Sequence, residues 1–186
     1  MRVISGSFKG KKIFEPKDSK TRPLKDLVKE SIFNIIEHSN KFNTQLINSD
    51  ILDLFSGVGS FGIECLSRGS KKVVFVENYS GVLPILKKNL LSLNIIKNYE
   101  ILENDIYNNK VLSKLNSKFD IIFLDPPFKD KNLNEFLSKL KNFEILNKNG
   151  VIVIHRHKND DDNFSKKFKV VEEKKYGISK ISFLTN

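Results

Sequence analysis

The stretch Ile51-Leu52-Asp53-Leu54-Phe55-Ser56-Gly57-Val58-Gly59-Ser60-Phe61-Gly62 decides the fold. It opens as an apolar strand, carries one carboxylate and breaks into a turn whose glycines spell G-x-G-x-x-G. A helical pattern follows. Glycine in such a turn lets backbone N–H groups approach a ligand at the positive end of a helix dipole. The motif alone names no ligand, because many nucleotide folds and ordinary tight turns carry it.

Downstream, strand and helix patterns alternate. Residues 51–55 form the first predicted strand, and residues 59–68 a helix ended by Gly69. Lys72 to Glu77 is a strand, and Leu83 to Leu93 a helix with Leu83, Leu86, Leu90 and Leu93 on one face. Tyr99 to Leu102 is a short strand, and residues 108–115 a weak helix. Phe119 to Leu124 is a continuous apolar run, as a buried parallel strand requires. A helix over 133–140 and a strand over 150–155 follow. Residues 168–172 and 178–184 then read as an antiparallel hairpin through Lys175-Tyr176-Gly177. Alternating βαβα units imply a parallel sheet with helices on both faces, and ligands bind beyond the carboxyl ends of its strands.

Upstream, Arg2-Val3-Ile4 and Lys12-Ile13-Phe14 are β-prone pieces suited to a hairpin or arm. Leu24, Leu27, Val28, Ile32, Ile35 and Ile36 predict an amphipathic helix over 25–38. The net charge is +10, and residues 1–25 hold eight basic and two acidic residues, +6 of that total. A basic arm is the electrostatic footprint of a polyanion, nucleic acid first. The single cysteine, Cys65, excludes an internal disulfide and reads as a buried small hydrophobe. No run is long enough to span a membrane and no signal-peptide core is present, so a cytoplasmic protein without a membrane partner is expected.

Glu77 lies 20 residues beyond Gly57, the spacing at which a carboxylate reaches the ribose hydroxyls of an adenosine. Both NAD and S-adenosylmethionine (AdoMet) present that ribose. Asp53 within the first strand suits a ligand bearing an amino group and a sulfonium better than a pyrophosphate. Asn104-Asp105 stands where a side chain can accept from an adenine amine. The C-terminal hairpin, in place of a second βαβ half, also favours AdoMet.

Asp125-Pro126-Pro127-Phe128 follows the buried fourth strand. The prolines fix φ and remove donors, so the loop offers acceptors. Acceptors from Asp125 and the Pro126 carbonyl suit the two hydrogens of an exocyclic base amine, and Phe128 suits a splayed-out base. An ionised carboxylate only accepts, matching the adjacent N1 and N2 donors of guanine better than the donor–acceptor pair of adenine.

These elements resemble the bacterial 16S rRNA guanine-N2 methyltransferases of the RsmD type, class I AdoMet-dependent enzymes. The likeness runs through Met1-Arg2-Val3-Ile4-Ser5-Gly6, Gly10-Lys11-Lys12, Thr21-Arg22-Pro23, Val28 to Asn34, Leu52 to Glu64, Leu66 to Gly69, Phe75-Val76-Glu77, Phe123 to Phe128 and Tyr176-Gly177. It implies a Rossmann-like, mostly parallel seven-stranded sheet with a C-terminal antiparallel hairpin. Residues 1–48 would form a basic RNA-binding extension and helix, and residues 49–186 the methyltransferase domain. AdoMet would lie against Asp53, Phe55, Ser56, Gly57, Gly59, Glu77, Asn78, Asn104, Asp105 and Ile106. Asp125, Pro126, Pro127 and Phe128 would be the reactive loop, and Arg2, Lys9, Lys11, Lys12 and Arg22 the RNA contacts. The substrate implied is 16S rRNA within the small subunit, met by a monomer. Arg2 and Arg22 stand out among 28 lysines and 4 arginines, since a guanidinium fork suits phosphate and base edges.

The sequence departs from that pattern at the end of strand five, where an acidic residue is expected and His155-Arg156-His157 stands instead. The two histidines share one strand face. Without a third ligand they make a poor metal site, and a basic rim for RNA or plain surface is expected of them. Two other functions fit the same residues less well: an adenine-N6 methyltransferase on DNA or RNA, and a non-catalytic RNA-binding assembly factor.

Overall fold

Continuous apolar runs build the centre of the sheet. The computed structural model describes residues 1–16, 24–94, 97–115, 117–160, 164 and 168–186. In chain order the elements are α1 (Asp26–His38), β1 (Asp50–Leu54), α2 (Ser60–Ser67), β2 (Lys72–Glu77), α3 (Leu83–Ser92), β3 (Tyr99–Glu103), α4 (Asn109–Leu112), β4 (Phe119–Leu124), α5 (Leu133–Asn142), β5 (Leu146–His157), β6 (Lys169–Tyr176) and β7 (Ser179–Thr185). The seven strands lie in the order β3-β2-β1-β4-β5-β7-β6. β1 pairs in parallel with β2 and β4, β2 with β3 and β4 with β5, whereas β7 runs antiparallel between β5 and β6. This is the doubly wound sheet with a terminal hairpin that the alternation predicts.

Strand alternation divides the core in two. Ile51, Val73, Phe75, Ile121, Phe123, Val151 and Val153 face one apolar layer, closed by α1, α2 and α3. Leu52, Leu54, Val74, Val76, Ile122, Leu124, Ile152 and Ile154 face the other, closed by α4 and α5. Phe61 of α2 stacks between Phe33 of α1, at 5.1 Å, and Phe123 of β4, at 4.0 Å.

Four expectations change in detail. The hydrophobic face of α1 is Val28, Ile32, Phe33 and Ile36 together with Lys29, while Leu27 is exposed. β5 starts at Leu146, because a register shift between Phe119 and Ile121 of β4 admits polar residues 147–149 into the strand. The β6–β7 hairpin pairs through residues 169–176 and 179–185, later than predicted. The two N-terminal pieces pair antiparallel as expected, but only briefly: one bridge joins Arg2 to Lys12, with Val3 N donating to Lys11 O at 2.9 Å and Ile13 N to Met1 O at 3.0 Å.

Long-range polar contacts hold that arm to the rest of the fold. Val3 and Ile13 are buried. The Glu64 carboxylate accepts from Ile4 N at 2.8 Å and Ser5 N at 2.9 Å. Asn89 of α3 bonds both N–H and C=O of Phe14, at 2.8 and 3.1 Å. Gly6 sits at φ +79° so close to α2 that a Cβ would lie 1.9 Å from the Ser67 carbonyl oxygen. Among the described residues, no helix is long and apolar enough to cross a membrane.

Candidate functional site

The period of two that sorts the core also builds the site. Asp53 continues the face of Ile51, Glu77 that of Phe75, Asp125 that of Phe123 and His155 that of Val153. Four ionisable side chains from adjacent strands therefore share one face at the carboxyl end of the sheet.

The three glycines divide the work of the turn. At Gly62 an added Cβ would lie 2.3 Å from Phe75 Cε1, so this glycine lets α2 pack on β2. At Gly59, φ +82°, it would lie 2.5 Å from Leu86 Cδ1. At Gly57, φ +55°, no atom lies within 4 Å. That side of the turn is open. Phe55 before the turn also has positive φ, 58°, a strained value for an aromatic residue, and its ring lies 5.8 Å from Tyr107. Ser56 is buried with its hydroxyl unpartnered.

Asp53 is 1% exposed. Its Oδ2 accepts from Gly62 N at 3.0 Å, and its Oδ1 is buried with no partner. Burial pushes its carboxyl well above the usual carboxylate range, and the nearby Asp125 and Glu77 charges push the same way. A buried, half-satisfied carboxylate with acidic neighbours is suited to receive a cationic group. Glu77 accepts from Gly57 N at 2.7 Å, Asn78 N at 2.9 Å and Tyr79 N at 2.8 Å. It thereby ties the glycine turn to the end of β2. Asn78 is exposed. The Asn104 N–H donates to the Glu77 carbonyl, and exposed Asp105 accepts from Tyr107 N. Ile106 is buried in the α4–α5 layer. Ile106 apart, these residues stand along one rim, the adjacent carboxyl ends of β1, β2 and β3.

The Asp125-Pro126-Pro127-Phe128 loop follows at β4. Asp125 Oδ1 lies 2.8 Å from His155 Nδ1, and His155 Nε2 lies 2.9 Å from Ser179 Oγ. Arg156 donates to the Pro127 carbonyl at 3.1 Å and the Asp130 carbonyl at 2.9 Å. The Phe128 ring stands edge-on to His155 at 5.7 Å and His157 at 5.3 Å. The expectation of a basic rim or plain surface at 155–157 is corrected here. His155 and Arg156 are 8% and 4% exposed and hold the loop. The shared face of the two histidines is as expected; the target of that face is Phe128. Among the described residues, no group of three metal-ligating side chains converges.

Sequence reasoning missed the neighbours that brace the loop. Tyr107 OH donates to Asp130 Oδ2 at 2.6 Å, and burial and that carboxylate push the phenol far up. Only the bare Asp-Pro-Pro-Phe signal marks this region in the chain, since Tyr107 and Asp130 meet across 23 residues. Arg2, Lys9, Lys11 and Lys12 are all exposed on the arm. Lys12 and Lys88 lie over the Phe14 ring at 6.0 and 4.2 Å. Arg22, with Thr21 and Pro23, lies outside the described residues. Cys65 is fully buried, and burial pushes its thiol up, as a structural cysteine requires.

Residues 1–185 match the family model described as "Conserved hypothetical protein 95". The chain is similar to YlbH of Bacillus subtilis, 38% identical over 154 residues that cover 82% of this chain and 80% of that one. It is similar to the ribosomal RNA small subunit methyltransferase D of Haemophilus influenzae, 32% identical over 183 residues that cover 96% of this chain and 90% of that one. The solved structure of the methyltransferase YhhF of Escherichia coli superposes with a TM-score of 0.80 at 25% identity, covering 99% of this chain and 96% of that one. Matched along its length in sequence and in fold, the chain belongs to the "Conserved hypothetical protein 95" family, the RsmD family its motifs resemble.

Proposed function

We propose that this protein transfers a methyl group from AdoMet to the N2 amine of a guanine in 16S rRNA, within the small ribosomal subunit. The observation that carries the proposal is the Asp125 carboxylate, one strand from Asp53 and the glycine turn, with one oxygen already engaged. The rRNA small subunit methyltransferase name of the Haemophilus influenzae relative supports the substrate class.

AdoMet fits the rim beside it. Its amino group would complete the unpartnered Asp53 Oδ1, its ribose would meet Glu77, and its approach is the open side of Gly57. Asn104, Asp105 and Ile106 would border its adenine. The bound cofactor supplies an electrophilic methyl on a sulfonium. The remaining work falls to the chain. Asp125 and the Pro126 carbonyl accept the hydrogens of the target amine and hold its nitrogen lone pair out of the ring plane. The Pro127 carbonyl is occupied by Arg156, so it fixes the loop instead of meeting substrate. Phe128 stacks on the base. Catalysis here is positioning and electrostatics, with no covalent enzyme intermediate. Arg2, Lys9, Lys11 and Lys12 grip the RNA backbone, with Arg22 assigned the same role.

The test is incorporation of tritiated methyl into small subunits lacking the modification. The wild type labels rRNA and Asp125→Ala does not. Full labelling by Asp125→Ala, or none by the wild type, overturns the assignment. Failure to bind AdoMet in calorimetry would favour a non-catalytic assembly factor.

A further inference from the structure

We propose that His155 is the positioning residue of the reactive loop. It holds Asp125 in one orientation, with one carboxylate oxygen bound and the other turned to the target amine. The inference rests on the proposed role of Asp125 and adds the device that aims it.

The geometry is a three-member chain from β4 through β5 to β7. Asp125 Oδ1 and His155 Nδ1 are 2.8 Å apart, and His155 Nε2 and Ser179 Oγ 2.9 Å apart. An ionised carboxylate only accepts, so Nδ1 carries the hydrogen of the first bond. Nε2 then accepts from the Ser179 hydroxyl when the ring is neutral and donates to it when the ring is charged, because a hydroxyl does either. The imidazole is therefore anchored in both states. Its side chain is 10% exposed and that of Asp125 is 20% exposed, so little solvent competes for the bond.

The surroundings keep the ring in place. His155 pairs with Ile181 and His157 with Ser179 in the β5–β7 ladder. Phe128 packs edge-on against His155. On the opposite face of β5, Arg156 holds the Pro127 and Asp130 carbonyls. Consecutive residues of one strand thus restrain the reactive loop at both ends. The order carboxylate, imidazole, hydroxyl is also that of a nucleophile triad. Ser179 is 6% exposed within the β5–β7 pairing, so its hydroxyl serves as an anchor and not as an attacking group.

A terminal carboxylate has a broad torsional well. Freed from His155, Asp125 would sample orientations in which neither oxygen faces the amine, and misplacement by about 1 Å costs roughly 100-fold in rate. The full-length protein with AdoMet and unmodified small subunits gives the test. For His155→Ala, the expected loss in kcat is about 30- to 100-fold, with AdoMet affinity and substrate KM nearly unchanged. His155→Asn places an amide N–H near the site of Nδ1 and restores most of kcat. Ser179→Ala, which frees the ring, gives an intermediate kcat. Equal loss in His155→Ala and His155→Asn, or a loss carried by KM, assigns His155 a merely structural role and overturns the proposal. Full kcat in His155→Ala overturns it too, provided Asp125→Ala is inactive. Full kcat in Asp125→Ala instead removes the reading on which it rests. If His155→Ala does not fold, His155→Asn and Ser179→Ala decide the matter by the same criteria.

Discussion

Glu64→Ala tests how the basic arm is attached. The Glu64 carboxylate accepts from Ile4 N, Ser5 N and Arg68 Nε at 2.8 to 2.9 Å, and Lys29 Nζ lies 3.7 Å away. The side chains of Glu64 and Lys29 are both 0% exposed. In the variant Arg68 keeps Glu37 and Lys29 keeps the Arg2 carbonyl at 2.8 Å, so the loss falls on the two arm amides and a buried ammonium. Removing one partner of a buried ion pair costs about 3–5 kcal/mol. Two charge-assisted bonds at about 1.5–3 kcal/mol each give about 3–6 kcal/mol, which overlaps that range. At about 2–4 °C per kcal/mol for a chain of this size, Tm falls by roughly 6–20 °C. Burial already pushes the Lys29 ammonium down. Without Glu64 its folded-state value falls further below the unfolded one, so the variant regains stability as pH rises through that window. Urea unfolding at neutral and alkaline pH measures both effects, and hydrogen exchange at Ile4 and Ser5 reports the arm. A loss under about 1 kcal/mol, with both amides still protected, would refute this account of the arm.

The glycines separate binding from stability. Gly57→Ala meets open space but strains a left-handed position by about 1–2 kcal/mol, and its methyl blocks the cofactor approach, so calorimetry shows weakened AdoMet binding. Gly62→Ala drives a methyl to 2.3 Å from Phe75 and lowers stability by about 1–3 kcal/mol in urea unfolding. Asp53, raised by burial, favours its protonated form when folded. It contributes stability at low pH that is lost as pH rises above the ordinary carboxylate range, so unfolding free energies of the wild type and Asp53→Asn diverge upward in pH in favour of the variant. Calorimetry then shows wild-type AdoMet affinity rising over the same window and a weak, flat affinity in Asp53→Asn. Replacing Arg2, Lys9, Lys11 and Lys12 together by Gln weakens binding to small subunits and flattens its salt dependence. The log–log slope drops by about 0.7 for each phosphate the arm no longer neutralises, while AdoMet binding is unchanged.

Local patterns carried what local physics determines. Buried parallel strands must be apolar throughout, so β1, β2 and β4 were visible as runs, and with them the strand ends where Asp53, Glu77 and Asp125 stand. The early start of β5 was hidden because Asn147, Lys148 and Asn149 carry no strand signal and enter through a register shift. Nothing local marks Lys29 as buried, and only the fold sets it against Glu64, 35 positions on. His155 stood out as a departure, yet its purpose was illegible, because its partners Asp125 and Ser179 lie 30 and 24 residues away.

Selection of the guanine N2 amine by Asp125, as proposed above, is open to direct test. Small subunits lacking the modification, methylated by the wild-type protein and digested to nucleosides, test it directly by mass analysis. N2-methylguanosine is expected from the rRNA, and none with Asp125→Ala. N6-methyladenosine in its place would contradict it.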